Sequence, residues 1–87
     1  MDLKFVDDYI SNKIAENEEY IRFTFYELRV KSNLSNEETE KFLELAKNKF
    51  ENMKYQVFFT GDKFTYQNLE RVVQDNELMI AIKGSCK

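Results

Sequence analysis

The sequence contains no histidine and a single cysteine, Cys86. That removes a tetrahedral zinc site, a Ser-His-Asp triad and a Cys-His nucleophile, since each needs an imidazole or several thiolates. A lone thiol closes no internal disulfide, which fits a cytoplasmic protein. There is no proline, and the two glycines are Gly61 and Gly84. A flexible linker, a low-complexity tail or a sheet protein full of tight turns would need more of both. No glycine-rich phosphate cradle occurs. No apolar run nears the ~18 residues that span a bilayer. The acidic start MDLKFVDDYI lacks the basic flank and cleavage site of a signal peptide. Carboxylates remain as catalytic candidates, but they fall beside lysines on predicted solvent faces. The chain therefore reads as a non-enzyme with no cofactor, metal, small-molecule ligand or membrane partner.

What is present is aromatic bulk. Eight Phe and five Tyr in 87 residues suffice for one packed core, hence one domain over 1–87. Ten Lys, three Arg and eight Asn hint at an AT-rich coding sequence. The net charge of −3 is unevenly spread: residues 1–19 hold six acids against two bases, and residues 20–87 hold ten acids against eleven bases. The acidity belongs to the first element.

Leu3, Val6, Ile10 and Ile14 form a helical stripe that Asp2 can cap, predicting a helix over about 3–16. Thr24-Phe25-Tyr26-Glu27 fits a capping box, with Phe23 and Leu28 placed as a hydrophobic staple. The pattern recurs at Ser35-Asn36-Glu37-Glu38. The gap between the boxes predicts a two-turn helix at about 25–32, a short connection through Asn33 and Leu34, and a longer helix at about 36–53. A short strand at 20–23 leads into the first cap. The competing reading makes 20–31 one long strand of an α+β sandwich, and it leaves Glu27 and the paired caps unexplained. Beyond Lys54 the apolar period becomes two. Tyr55, Val57 and Phe59 share a face, as do Leu78, Ile80 and Ile82, predicting short strands at 55–60, 63–67, 71–74 and 77–83. Gly61-Asp62 and Asp75-Asn76 suit two-residue turns, and Asn68-Leu69-Glu70 suits an irregular tip.

The order helix, short strand, helix, turn, helix, hairpin resembles a winged helix-turn-helix domain: α+β, three helices plus an antiparallel β-wing over about 55–83. The resemblance rests on FYELRVKSNL, EETEKFLELAKNKFENM and the closing YQVFF…LMIAI. It implies a dimeric, sequence-specific binder of double-stranded DNA. Such a protein would be a transcriptional regulator, or a site-marking accessory of plasmid, phage or conjugation systems. In that family the second helix of the motif meets base edges with its N-terminal residues. Here those include Asn36 and Lys41, but the stretch 36–54 carries five acids against four bases. Its Glu37/Lys41 and Glu44/Lys47 spacings fit a solvent face with some ion pairing. The wing offers Lys63, Thr65, Tyr66, Gln67, Asn68 and Arg71, a set of cations, amides and an aromatic suited to phosphates and a minor groove. Arg29 and Lys31, with Arg22 before them, add charge from the shorter helix. Phe5 and Tyr9 widen the first helix's apolar face and are candidates for a homodimer interface. Phe58 points away from the Tyr55/Val57/Phe59 face, so it packs under the tip or marks an interface. The alternative function is a small acidic protein-interaction module, such as a phage-encoded inhibitor of a host enzyme.

Overall fold

The computed structural model describes residues 2–84. Cys86 lies outside them. Helix α1 spans Leu3–Glu16, and its first turn is closed by the Asp2 carboxylate, which accepts from the Phe5 N–H at 3.0 Å. Strand β1 spans Tyr20–Thr24, and Tyr26–Lys31 follows as a single wide helical turn. Helix α2 covers Asn36–Asn52, and strands β2 (Tyr55–Phe59), β3 (Lys63–Tyr66), β4 (Leu69–Val72) and β5 (Glu77–Lys83) complete the chain. The architecture is α+β with antiparallel sheets. No helix among the described residues is long and apolar enough to cross a membrane.

Both capping boxes form. The Thr24 hydroxyl accepts from the Glu27 N–H at 3.2 Å while Glu27 reaches back to the Thr24 N–H at 3.2 Å. Ser35 and Glu38 do the same at 3.1 and 3.0 Å. The turn at 26–31 is wound more loosely than an α-helix, however. The Ser32 N–H donates to the Glu27 carbonyl five residues back, and the Leu34 N–H donates to the Leu28 carbonyl six back. A hydrogen bond that reaches one residue further back than in an α-helix is the mark of π-type winding. Asn33, at φ 57°, then takes the left-handed conformation that asparagine tolerates.

The strands after Lys54 do not form one antiparallel unit over 55–83, as the resemblance implied. They separate into a three-stranded sheet in the order β1-β5-β2 and a β3-β4 hairpin. Gly61, at φ 89°, supplies the turn after β2, but β2 and β3 part company there. Strand β5 is central and covered on both faces, with Met79, Ile80, Ala81 and Ile82 all buried. Helices cover one face, where Phe23, Phe42 and Phe50 are fully buried with Val6, Ile10, Leu28 and Met79. The rings of Tyr9, Phe23 and Phe42 meet at 5.3–5.9 Å. Such pairs add about 0.5–1.5 kcal/mol each beyond their burial. The opposite face is covered by the hairpin, which folds back so that Phe64 joins Val73, Ile80 and Ile82. Phe58 stacks on Phe64 at 5.0 Å, so it packs under the β3-β4 hairpin.

Candidate nucleic-acid interface

The hairpin reverses at Gln67 and Asn68, both with positive φ (54° and 66°), as a tight two-residue reversal requires. Strand β4 therefore begins at Leu69, earlier than the 71–74 strand and 68–70 tip that the sequence suggested. The register puts Arg71 opposite Phe64 and Leu69 opposite Tyr66, so these four share the inward face. Lys63, Thr65 and Glu70 stand on the outward face, all exposed.

Where the hairpin turn lies against β1, a cleft of about 480 Å³ opens, lined by Asn17, Tyr20, Arg22, Tyr66, Gln67, Arg71 and Glu77. Tyr20 and Tyr66 pack at 4.9 Å, and the Arg71 guanidinium lies 5.8 Å from the Tyr66 ring centre. Arg22 Nε donates to Glu77 at 2.5 Å. Arg71 has no carboxylate partner among the described residues. Burial pushes the Tyr20 phenol above its ordinary value, with the Glu77 charge adding to it, so the hydroxyl stays neutral and can donate. With Arg22 paired to the Glu77 carboxylate of the same cleft, Arg71 is left, beside two tyrosines and two amides, to meet a phosphate oxygen or a base or sugar edge. The sequence pointed to Tyr66, Gln67 and Arg71. It missed Asn17 and Tyr20, because only strand pairing and the folded-back hairpin bring residues 17–22 beside 66–71.

The remaining candidates lie elsewhere. Arg29 is committed within the chain: its Nε donates to the Leu34 carbonyl at 2.9 Å, its guanidinium bonds Asn36 Oδ1, and it lies over Phe25 at 5.3 Å. This ties the wide turn to the start of α2 and occupies Asn36 as well. Lys31 and Lys41 are exposed and have no ion-pair partner among the described residues. They belong to the Thr24 end of β1, whereas the hairpin turn reaches Tyr20, roughly 13 Å away along the strand, and lies on the other face of the sheet. The candidate residues thus fall into two groups. The outward face of α2 exposes Glu37, Glu40, Glu44 and Glu51 with Lys41. The i,i+4 pair formed on this helix is Lys47–Glu51 at 3.2 Å.

Phe5 keeps 36% of its surface exposed, whereas Tyr9 is half-buried and tied inside the molecule. Phe5 meets Phe42 edge-on at 6.1 Å, and the Tyr9 hydroxyl donates to Glu27 at 2.7 Å. Lys13 pairs with the same carboxylate at 2.9 Å. Burial by itself would raise the Glu27 pKa, but bonds from Tyr9, Lys13 and Thr24 outweigh it and hold the carboxyl below its ordinary range. Burial, then the Glu27 bond, pushes the Tyr9 phenol well up. Beside this knot a cleft of about 560 Å³ separates α1 from the wide turn. Glu16 and Glu27 both line it, and Glu27 is fully engaged by Tyr9, Lys13 and Thr24, which suits a tie between elements better than acid–base chemistry. No group of three acidic, Cys or His side chains suited to a metal occurs among the described residues.

Comparison with protein-family models, with curated proteins and with solved structures gives no match.

Proposed function

We propose that this chain is a winged helix-turn-helix protein that binds double-stranded DNA as a homodimer, as a regulator or as a site-marking accessory protein of a plasmid or phage. The observation that carries the reading is the topology. A helical turn and a long helix stand between β1 and β2, a hairpin stands between β2 and β5, and the strand order is β1-β5-β2. This order supports the winged-helix reading, in which a hairpin projects between the last two strands of a three-stranded sheet, although fold alone does not give function. The outward glutamates of α2 would repel phosphates in the usual docking. Contact then falls to the hairpin side, through Arg71 and Lys63 for phosphates and Gln67 and Asn68 for groove edges.

The test is selection from random duplexes followed by a salt titration with the purified protein. A repeated motif should be enriched, and affinity should fall steeply as salt rises. Lys63→Ala and Arg71→Ala should each reduce the salt slope by about one. Unchanged slopes in both variants would remove the hairpin from the interface.

A second reading is a protein-interaction module. It is favoured by the acidic face of α2 together with exposed Phe25, Tyr26 and Val30 on the wide turn. Absence of any salt-sensitive duplex binding would transfer the assignment to it.

A further inference from the structure

The two edges of the three-stranded sheet are built differently. In an antiparallel sheet, successive residues turn their peptide groups alternately toward one neighbour and the other. The Lys83 N–H donates to the Glu19 carbonyl, so Ile21 and Phe23 bond to β5 while Tyr20, Arg22 and Thr24 turn outward. That outer edge is closed by local devices. Asn17 Oδ1 accepts from the Tyr20 N–H at 3.4 Å, Glu27 accepts from the Thr24 N–H at 3.2 Å, and the register shifts between Phe23 and Thr24. Arg22 puts a charge at its centre. Charges and bulges are how natural sheets protect an edge.

The β2 edge carries none of these at its middle. The Gly84 N–H donates to the Lys54 carbonyl, so Gln56 and Phe58 bond to β5 while Tyr55, Val57 and Phe59 turn outward. Asp62 occupies both peptide groups of Phe59, its side chain accepting at 2.9 Å and its N–H donating at 2.8 Å. The N–H and C=O groups of Tyr55 and Val57 have no hydrogen-bond partner among the described residues. The segment has no charge and no proline, and its register with β5 is unbroken.

We infer that β2 pairs antiparallel with β2 of a second copy of this chain, about a two-fold axis at Gln56. The register follows from the free groups. With the axis at Gln56, Tyr55 of each copy faces Val57 of the other, and four N–H···O bonds use every open group. An axis at Val57 would call on Phe59, which Asp62 already occupies. Gln56 is exposed and uncharged, and it meets its own copy at the centre, where two like charges would repel. The product is one six-stranded sheet, β1-β5-β2-β2-β5-β1, with both hairpins on the same face. The inference fixes the interface of the dimer in the reading above and does not depend on what the dimer binds.

The experiment is sedimentation of the full chain without DNA over a wide concentration range, for wild type, Gln56→Lys and Gln56→Glu. The wild type should dimerise. Each variant alone should remain monomeric with an unchanged circular dichroism spectrum, and an equal mixture of the two should recover a dimer. A wild type that stays monomeric throughout overturns the pairing, as does a variant that dimerises like wild type or a mixture that fails to associate. Since no DNA is present, a negative result here is separate from a negative duplex selection.

Discussion

Glu27 is the side chain whose removal should be felt most widely. Its carboxylate accepts from the Tyr9 hydroxyl (2.7 Å), Lys13 Nζ (2.9 Å), the Thr24 N–H (3.2 Å) and the Thr24 hydroxyl (3.4 Å). It thus links α1, the end of β1 and the start of the wide turn. Loss of one capping interaction costs about 1 kcal/mol. Loss of hydrogen bonds to a charged group costs roughly 1.5–3 kcal/mol, and more when half-buried partners are left unpaired. Glu27→Ala should therefore cost on the order of 3 kcal/mol, a drop of roughly 12–24 °C in Tm for a domain of this size. Glu27→Gln keeps the shape and some acceptors but faces Lys13 without a charge, so it should cost about half as much. Urea unfolding of Glu27→Ala, Tyr9→Phe and the double variant gives the coupling directly, expected at about 1–2 kcal/mol. A Glu27→Ala loss under about 0.5 kcal/mol, or strict additivity with Tyr9→Phe, would refute the account.

Three further outcomes follow from local geometry. The depressed Glu27 carboxyl contributes stability that is present above its unfolded value of 4.5 and is lost as pH falls from there through the folded value. The raised Tyr9 phenol contributes stability below its unfolded value of 10.0 that is lost as pH rises beyond it. Denaturant midpoints against pH should thus fall at both ends, and Tyr9→Phe should lessen the alkaline fall, leaving the part that belongs to Tyr20 and Tyr55, whose phenols burial also raises. Lys54 sits just past α2 at φ 72°, where a Cβ is strained; Lys54→Gly should stabilise by about 1 kcal/mol, read as a higher Tm. Phe64→Ala should cost about 3 kcal/mol and selectively lose hydrogen-exchange protection over 63–72. A uniform loss across the sheet would instead mean that the hairpin and sheet unfold as one unit.

Features that depend on near neighbours alone are legible from residue order. A stripe at helical spacing and an Asp2 cap gave α1 its full span. Two capping boxes, nothing more than residues three apart, located both the wide turn and α2. Alternation located β2 and β5. Tertiary structure decided what those segments do with each other. The wider winding of 26–31 was not legible, because Glu27 in that turn is held by Tyr9 and Lys13 from a helix about fifteen residues away. The hairpin register and its reversal at Gln67-Asn68 were not legible either. They are set by Phe64 and Tyr66 reaching Phe58 and Tyr20 on a sheet face that only strand pairing creates. The same holds for the candidate site. Arg71 and Gln67 could be singled out by residue type, but their company of Asn17, Tyr20 and Arg22 is a long-range contact. Arg29, equally cationic on paper, is committed to Leu34 and Asn36. Local patterns fix where the chain is regular. Which charges are free and which faces are covered is fixed by packing between segments distant in sequence, and no local pattern encodes that.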